Sequence, residues 1–139
     1  MKSVLTVLVL IFYSVLGFAQ SNILEGKRYS IVVSESCKSF NDGGCLITTY
    51  NVLNFEKDSV VVVYYTKADC ESKERDSYYN NEGSIGKYPY QIQKKKDSPN
   101  HIVRINGYQF GSFEVFPDYL IVINPDHTTN SEYIFNIIE

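Results

Sequence analysis

Cys37, Cys45 and Cys70 are the residues best able to make a covalent bond in this 139-residue chain. In an oxidising compartment two of them pair and one thiol is left over. Spacing leaves the pairing open: Cys37 and Cys45 can close a small loop around Asn41-Asp42-Gly43-Gly44, or either can reach Cys70. Zinc is not indicated. It requires four ligands in short paired spacings, whereas His101 and His127 lie far from the cysteines and no Cys-x-x-Cys is present. Asp69, Glu71, Glu74 and Asp76 hold enough oxygen for calcium, but Lys73 and Arg75 interrupt them and no glycine stands where a calcium loop turns. That stretch reads as a solvated charged loop. Ser30, Ser34, Ser36 and His101 provide a serine nucleophile on paper, yet no Gly-x-Ser-x-Gly elbow exists to activate one. Glu114, set between Phe113 and Val115, would carry a raised pKa if it pointed inward; alternation with Ser112 sends both outward instead. No catalytic residue, metal or cofactor is expected, and the chain is read as a non-enzyme.

The aromatic residues are more informative. Of the 12 tyrosines, all but Tyr13 lie beyond the first nineteen residues. A tyrosine combines a wide apolar ring with a hydroxyl, so a cluster at a barrel mouth suits an amphipathic ligand or a protein partner. Ordinary β preference also explains them in a chain without tryptophan. The candidate ligand-binding residues are Tyr64, Tyr88, Tyr90, Ile92, Phe110 and Phe113. Two functions are therefore carried forward. One is a non-enzymatic binder of a small apolar or amphipathic ligand, with a cavity of roughly 300 Å³ or more between these residues. The other is a protein-binding inhibitor or immunity factor, suggested by small size, mild acidity and a charged loop.

The compartment comes from the N-terminus. Met1-Lys2-Ser3 is a short basic start, Val4 to Leu16 is an apolar run, and Gly17-Phe18-Ala19 places small residues where a signal peptidase reads. Residues 1–19 are predicted to be a signal peptide and 20–139 a single β-barrel domain, exported to the periplasm or the extracellular space, with no membrane span and a monomeric state expected. The net charge of −3 argues against nucleic acid, since the only basic run, Lys94-Lys95-Lys96, sits beside Asp97-Ser98-Pro99-Asn100 and reads as a solvated turn.

Strands dominate the remainder. Arg28 to Val33 and Tyr50 to Phe55 are short β-prone segments, and Glu56-Lys57-Asp58-Ser59 turns the chain into Val60 to Tyr65, whose four consecutive valines suit a pleated surface. Tyr88, Tyr90 and Ile92 alternate with Pro89, Gln91 and Gln93, one face inward and one wet, with pairing interrupted at Pro89. Ile102 to Ile105 and Tyr108 to Val115 flank Asn106-Gly107, the dipeptide of a two-residue type I′ hairpin turn. Tyr119 to Ile123 and Tyr133 to Ile138 complete the set. Ser34 to Thr49 and Ala68 to Gly86 are predicted long loops capping one end. The expected fold is all-β, a single antiparallel eight-stranded up-and-down barrel, with a two-layer β-sandwich as the alternative.

Gly26-Lys27-Arg28 before the first strand, a long first loop, the hairpin Leu53-Asn54-Phe55-Glu56-Lys57-Asp58, the entry Gly86-Lys87-Tyr88 and the closing meander together resemble the lipocalin-like (calycin-type) small barrels that bacteria export. Arg28 stands where that family has tryptophan. The resemblance implies a ligand-binding barrel. The leader ending Gly17-Phe18-Ala19-Gln20 is similar to those of exported Bacteroidota proteins, which implies a periplasmic or outer-surface address.

Overall fold

A computed structural model describes residues 22–139, so the predicted signal peptide lies outside the described residues. Eight antiparallel strands close in sequence order into one up-and-down barrel. They are β1 (Arg28–Phe40), β2 (Gly43–Phe55), β3 (Ser59–Cys70), β4 (Asn81–Lys94), β5 (His101–Ile105), β6 (Ser112–Val115), β7 (Tyr119–Ile123) and β8 (Thr129–Ile138). A short helix, α1 (Lys73–Tyr79), interrupts the passage from β3 to β4.

The strands are unequal, and this inequality organises the molecule. β1 to β4 each span 12 to 14 residues, whereas β5, β6 and β7 span only 4 or 5. The first four therefore rise well beyond the rest as a wall, given a rise of about 3.3 Å per strand residue. Ser34 to Thr49, expected as a loop, is the upper part of the β1–β2 hairpin. Its polar, glycine-containing sequence extends with only Phe40, Cys45 and Ile47 turned to a small cluster, because paired backbone more than an apolar face holds it. Ala68 to Gly86 likewise contains the end of β3, α1 and the start of β4 rather than one open loop.

In the lower barrel the alternation is regular. Leu53 opposes Val62, Phe55 opposes Val60, and Tyr90 opposes Ile105. Their side chains meet Tyr29, Val103, Phe113, Leu120 and Phe135 in one core. Phe113 and Phe135 cross edge to face at 5.3 Å between ring centroids. Each such fully buried apolar side chain contributes about 1.5–3 kcal/mol by leaving water. Leu24, ahead of β1, is fully buried and closes the lower end. Pro89 marks where β4 changes partner, pairing with Ser59 of β3 while Tyr90 pairs with β5. A residue without an N–H fits at that hand-over.

The Asn106-Gly107 turn takes another form. β5 ends at Ile105 and β6 starts only at Ser112, and among the described non-glycine residues only Asp97 and His127 have positive φ, so the type I′ geometry is absent. A wider loop forms because Tyr108 turns inward and is 6% exposed, stacked on Phe113, while Phe110 packs on Phe135. Burying the Tyr108 ring and part of Phe110 outweighs a tight turn.

Above the barrel a second cluster forms. Cys45 pairs directly across from Cys70 and the two form a disulfide, with Ile47, Ala68, Phe40 and Tyr79 packed around it. Cys37 is the free and exposed thiol. α1 is clasped to the wall by Lys38 over the Tyr79 ring, Arg75 over Phe40, and the Cys70 amide donating to Asp76 Oδ1 at 2.7 Å.

Candidate functional site

The expected ligand-binding residues divide by height in the barrel. Phe113 is fully buried. Tyr90 is 9% exposed; its hydroxyl donates to the Glu56 carbonyl at 2.7 Å and accepts from Asn22, which ties the segment before β1 to the β2–β3 turn. Burial raises its pKa, more than the Asn22 bond lowers it. Together with Ile92, Asn22, Lys57 and His101 it borders an open groove of about 480 Å³ at the lower end.

Tyr64, Tyr88 and Phe110 lie higher. Tyr64 on β3 lies flat against Gly83, its partner on β4, and Tyr88 folds over Gly86, where an added Cβ would stand 2.8 Å from its hydroxyl. Glycine at these two positions lets aromatic rings lie along the sheet. Tyr88 then meets Tyr108 at 5.7 Å, and Tyr108 meets Phe110 at 5.6 Å, so the three rings form the floor of the mouth. Beneath that floor the hydroxyls of Tyr29 and Tyr108 are buried with no hydrogen-bond partner among the described residues. Burial drives the Tyr108 phenol up to about 12. The floor seals the core from above.

Two open troughs reach this floor from outside, and Phe110 lines both. The larger, about 800 Å³, also touches Arg104, Glu114, His127, Asn130 and Tyr133. The smaller, about 500 Å³, is lined by Ile31, Val33, Asn51, Phe110, Glu132 and Tyr133. The smaller one follows from the strand register. β1 pairs with β8 only from Arg28 to Ser30, opposite Ile138 to Asn136, so the barrel seam splits open above Ser30. Ser131 to Tyr133 has no partner on β7 either, because the register jumps between Ile121 opposite Ile134 and Val122 opposite Asn130.

Above the split the wall is exposed along its β1 edge and over much of its outer face, while Cys45, Ile47, Ala68 and Cys70 stay buried on the inner one. Every residue from Val32 to Ser39 is exposed. On the outer face Val32 opposes Tyr50 and Tyr50 opposes Tyr65, whose rings stack at 5.8 Å, with Leu46 further up. Val32, Leu46 and Tyr65 are 47%, 42% and 37% exposed, although each is large and apolar. Sequence reasoning missed this surface because it assigned Ser34 to Thr49 to a loop. The valine pair at Val32-Val33 and the alternation of Leu46, Thr48 and Tyr50 were the available signals.

The other candidate groups do not assemble. Ser34 and Ser36 are on the upper β1 edge while His101 starts β5 at the lower end. Asp69 and Asp76 both bind Lys73, at 2.9 and 3.3 Å, and no cluster able to hold a metal is found among the described residues. Glu114 is 5% exposed on the outer side of β6, under the β4–β5 turn. Burial pushes its pKa up, but bonds from Asn100 at 2.9 Å and Lys95 at 2.8 Å outweigh burial and hold it below the usual glutamate range. Lys95 is therefore an ion-pair partner rather than a freely solvated lysine.

Fold and site together define a small, disulfide-stapled, eight-stranded β-barrel with a filled interior and an exposed upper wall. No protein-family model, curated protein or solved structure matches the chain.

Proposed function

We propose that the chain is an exported, non-catalytic protein-binding module, an inhibitor or immunity factor that captures a partner in the periplasm or at the cell surface. The observation that carries this reading is the contrast between a filled interior and an upper wall whose outer face leaves Val32, Leu46 and Tyr65 in solvent. Exposed apolar side chains gathered on a rigid sheet favour a partner's surface. The Cys45–Cys70 disulfide supports an oxidising compartment, in line with the predicted signal peptide. The test uses the mature chain, tagged, against the envelope and culture fractions of the producing cells. Wild-type protein should retain a defined partner that Leu46→Asp/Tyr65→Asp loses while melting normally. Equal capture by both proteins would overturn the assignment of this face.

The second reading, a small apolar or amphipathic ligand, is favoured by the trough of about 800 Å³ at Phe110 and Tyr133, which lies within the size range of ligand pockets. Native mass spectrometry separates the two. A small molecule carried through purification and released by Phe110→Ala would replace the protein-binding reading.

A further inference from the structure

The split seam joins three features that together specify an occupant. The first is backbone. From Ile31 to Phe40, β1 pairs with β2 on one side and, among the described residues, with no strand on the other. A strand edge presents a row of N–H and C=O groups, and only an extended chain satisfies such a row. The second is shape: the trough of about 500 Å³ opens where that edge begins. Val33 and Tyr133 stand beside it 43% and 39% exposed, and Phe110 closes its inner side. The third is charge. Glu132 stands on the rim and Glu35 on the free edge, and neither joins an ion pair among the described residues. Lys38, the nearest lysine on the strand, is turned to the inner face and engaged with the Tyr79 ring at 4.6 Å.

We propose that the opening between β1 and β8 is a strand-addition site for an extended segment of a partner protein that alternates apolar and basic residues. The segment pairs with Ser34 to Phe40, its apolar side chains face Val33, Phe110 and Tyr133, and its basic side chains meet Glu35 and Glu132. The free edge of β4, Asn81 to Lys87, is a poorer template. Gly83 and Gly86 there lie under the rings of Tyr64 and Tyr88 and offer an incoming strand no side chain to pack on. A second copy of this chain is disfavoured, because it would bring its own acidic rim to an acidic rim. This inference rests on the protein-binding reading and specifies how the partner is held.

The test uses the mature protein and three capped nine-residue peptides: one alternating valine and lysine, a twin with glutamate for lysine, and a twin with every second backbone nitrogen methylated. The lysine peptide should bind saturably at low salt and slow hydrogen exchange at alternate amides of Ser34 to Phe40. Glu35→Lys/Glu132→Lys, both exposed positions, should lower its affinity at least tenfold with an unchanged melting temperature, and Glu35→Gln/Glu132→Gln by a smaller factor. Neither twin should bind measurably. The inference is overturned if the methylated twin binds as well as the parent, if the glutamate twin does, if protection appears instead on Asn81 to Lys87, or if protection of β1 arises from self-association without peptide. Should no peptide bind while Leu46→Asp/Tyr65→Asp still abolishes partner capture, the seam is wrong and the protein-binding reading stands.

Discussion

Four strands, β1 to β4, run through both the lower barrel and the upper wall, yet the two regions obey different rules. Below Pro89 and Ser30, β1 to β4 share neighbours with β5 and β8, and each inward side chain meets a ring or branched chain from across the barrel. Above that level, among the described residues, the same strands have no opposite wall. They are held by ladder hydrogen bonds, the Cys45–Cys70 bridge and a helix of 7 residues. One region is stabilised by a continuous core and the other by pairing, a covalent staple and a small cluster around Ile47 and Ala68, so only the first demands a full apolar pattern. A protein that closes its interior and leaves a stapled sheet in solvent has moved its available surface from the inside of the barrel to the outside.

The sharpest way to break the comparison is to place a charge on a strand of each region. Val62 is fully buried between Leu53 and Gly86, so Val62→Asp should cost about 4 kcal/mol or more and unfold the domain. Ser36→Asp on the exposed edge should alter stability by no more than about 0.5 kcal/mol. Urea unfolding of the two variants measures both, and similar midpoints would remove the distinction.

Next in size is the staple. Cys45→Ser/Cys70→Ser opens a link across 25 residues and should cost about 3 kcal/mol. The loss should concentrate in the wall: α1 amides should lose exchange protection before those near Phe113 and Phe135. Uniform loosening would show that wall and barrel form one cooperative unit.

The ion pair at the β4–β5 turn is expected to be worth less. Lys95→Glu sets a second carboxylate against the buried Glu114 and should cost about 1–3 kcal/mol, contrary to what a solvated lysine run suggests. The folded state holds the Glu114 pKa below its ordinary 4.5, so its stabilisation is present above that pH and is lost as pH falls toward the folded value. The gap between wild type and Lys95→Ala should narrow below pH 4.5, and a pH-independent gap would remove the role of this pair.

The smallest effect belongs to the floor between the regions. Tyr108→Phe removes a buried hydroxyl without a partner and should leave stability unchanged or raise it by up to about 1 kcal/mol. In wild type the raised phenol favours the neutral folded state below pH 10, an advantage lost as pH rises toward about 12. A destabilised Tyr108→Phe variant would mean that the hydroxyl has a partner after all.

How much of this could be read in advance follows from the same division. The lower strands were legible because burial imposes a pattern: the valines of β3 and the alternation of Tyr88, Tyr90 and Ile92 against Gln91 and Gln93 identify their inward faces. The eight-stranded barrel follows from those segments. The wall was not legible, since Ser34 to Ser39 is exposed throughout and its sequence is free to look like a loop. The cysteine pairing was hidden for a related reason: it depends on the β2–β3 register that places Cys45 opposite Cys70, and spacing carries no register. Asn106-Gly107 misled because local turn preference was overridden by the burial of Tyr108 two residues later.

Amide hydrogen exchange along β1 in the free protein tests the central claim most directly, because this one strand crosses both regions. Amides from Tyr29 to Ile31 should exchange slowly, at the level of the global unfolding free energy. The alternate amides of Ser34 to Phe40 that face away from β2 should exchange orders of magnitude faster. Uniform protection along the whole strand would contradict the account, since it would mean that the upper edge is already covered and offers a partner nothing.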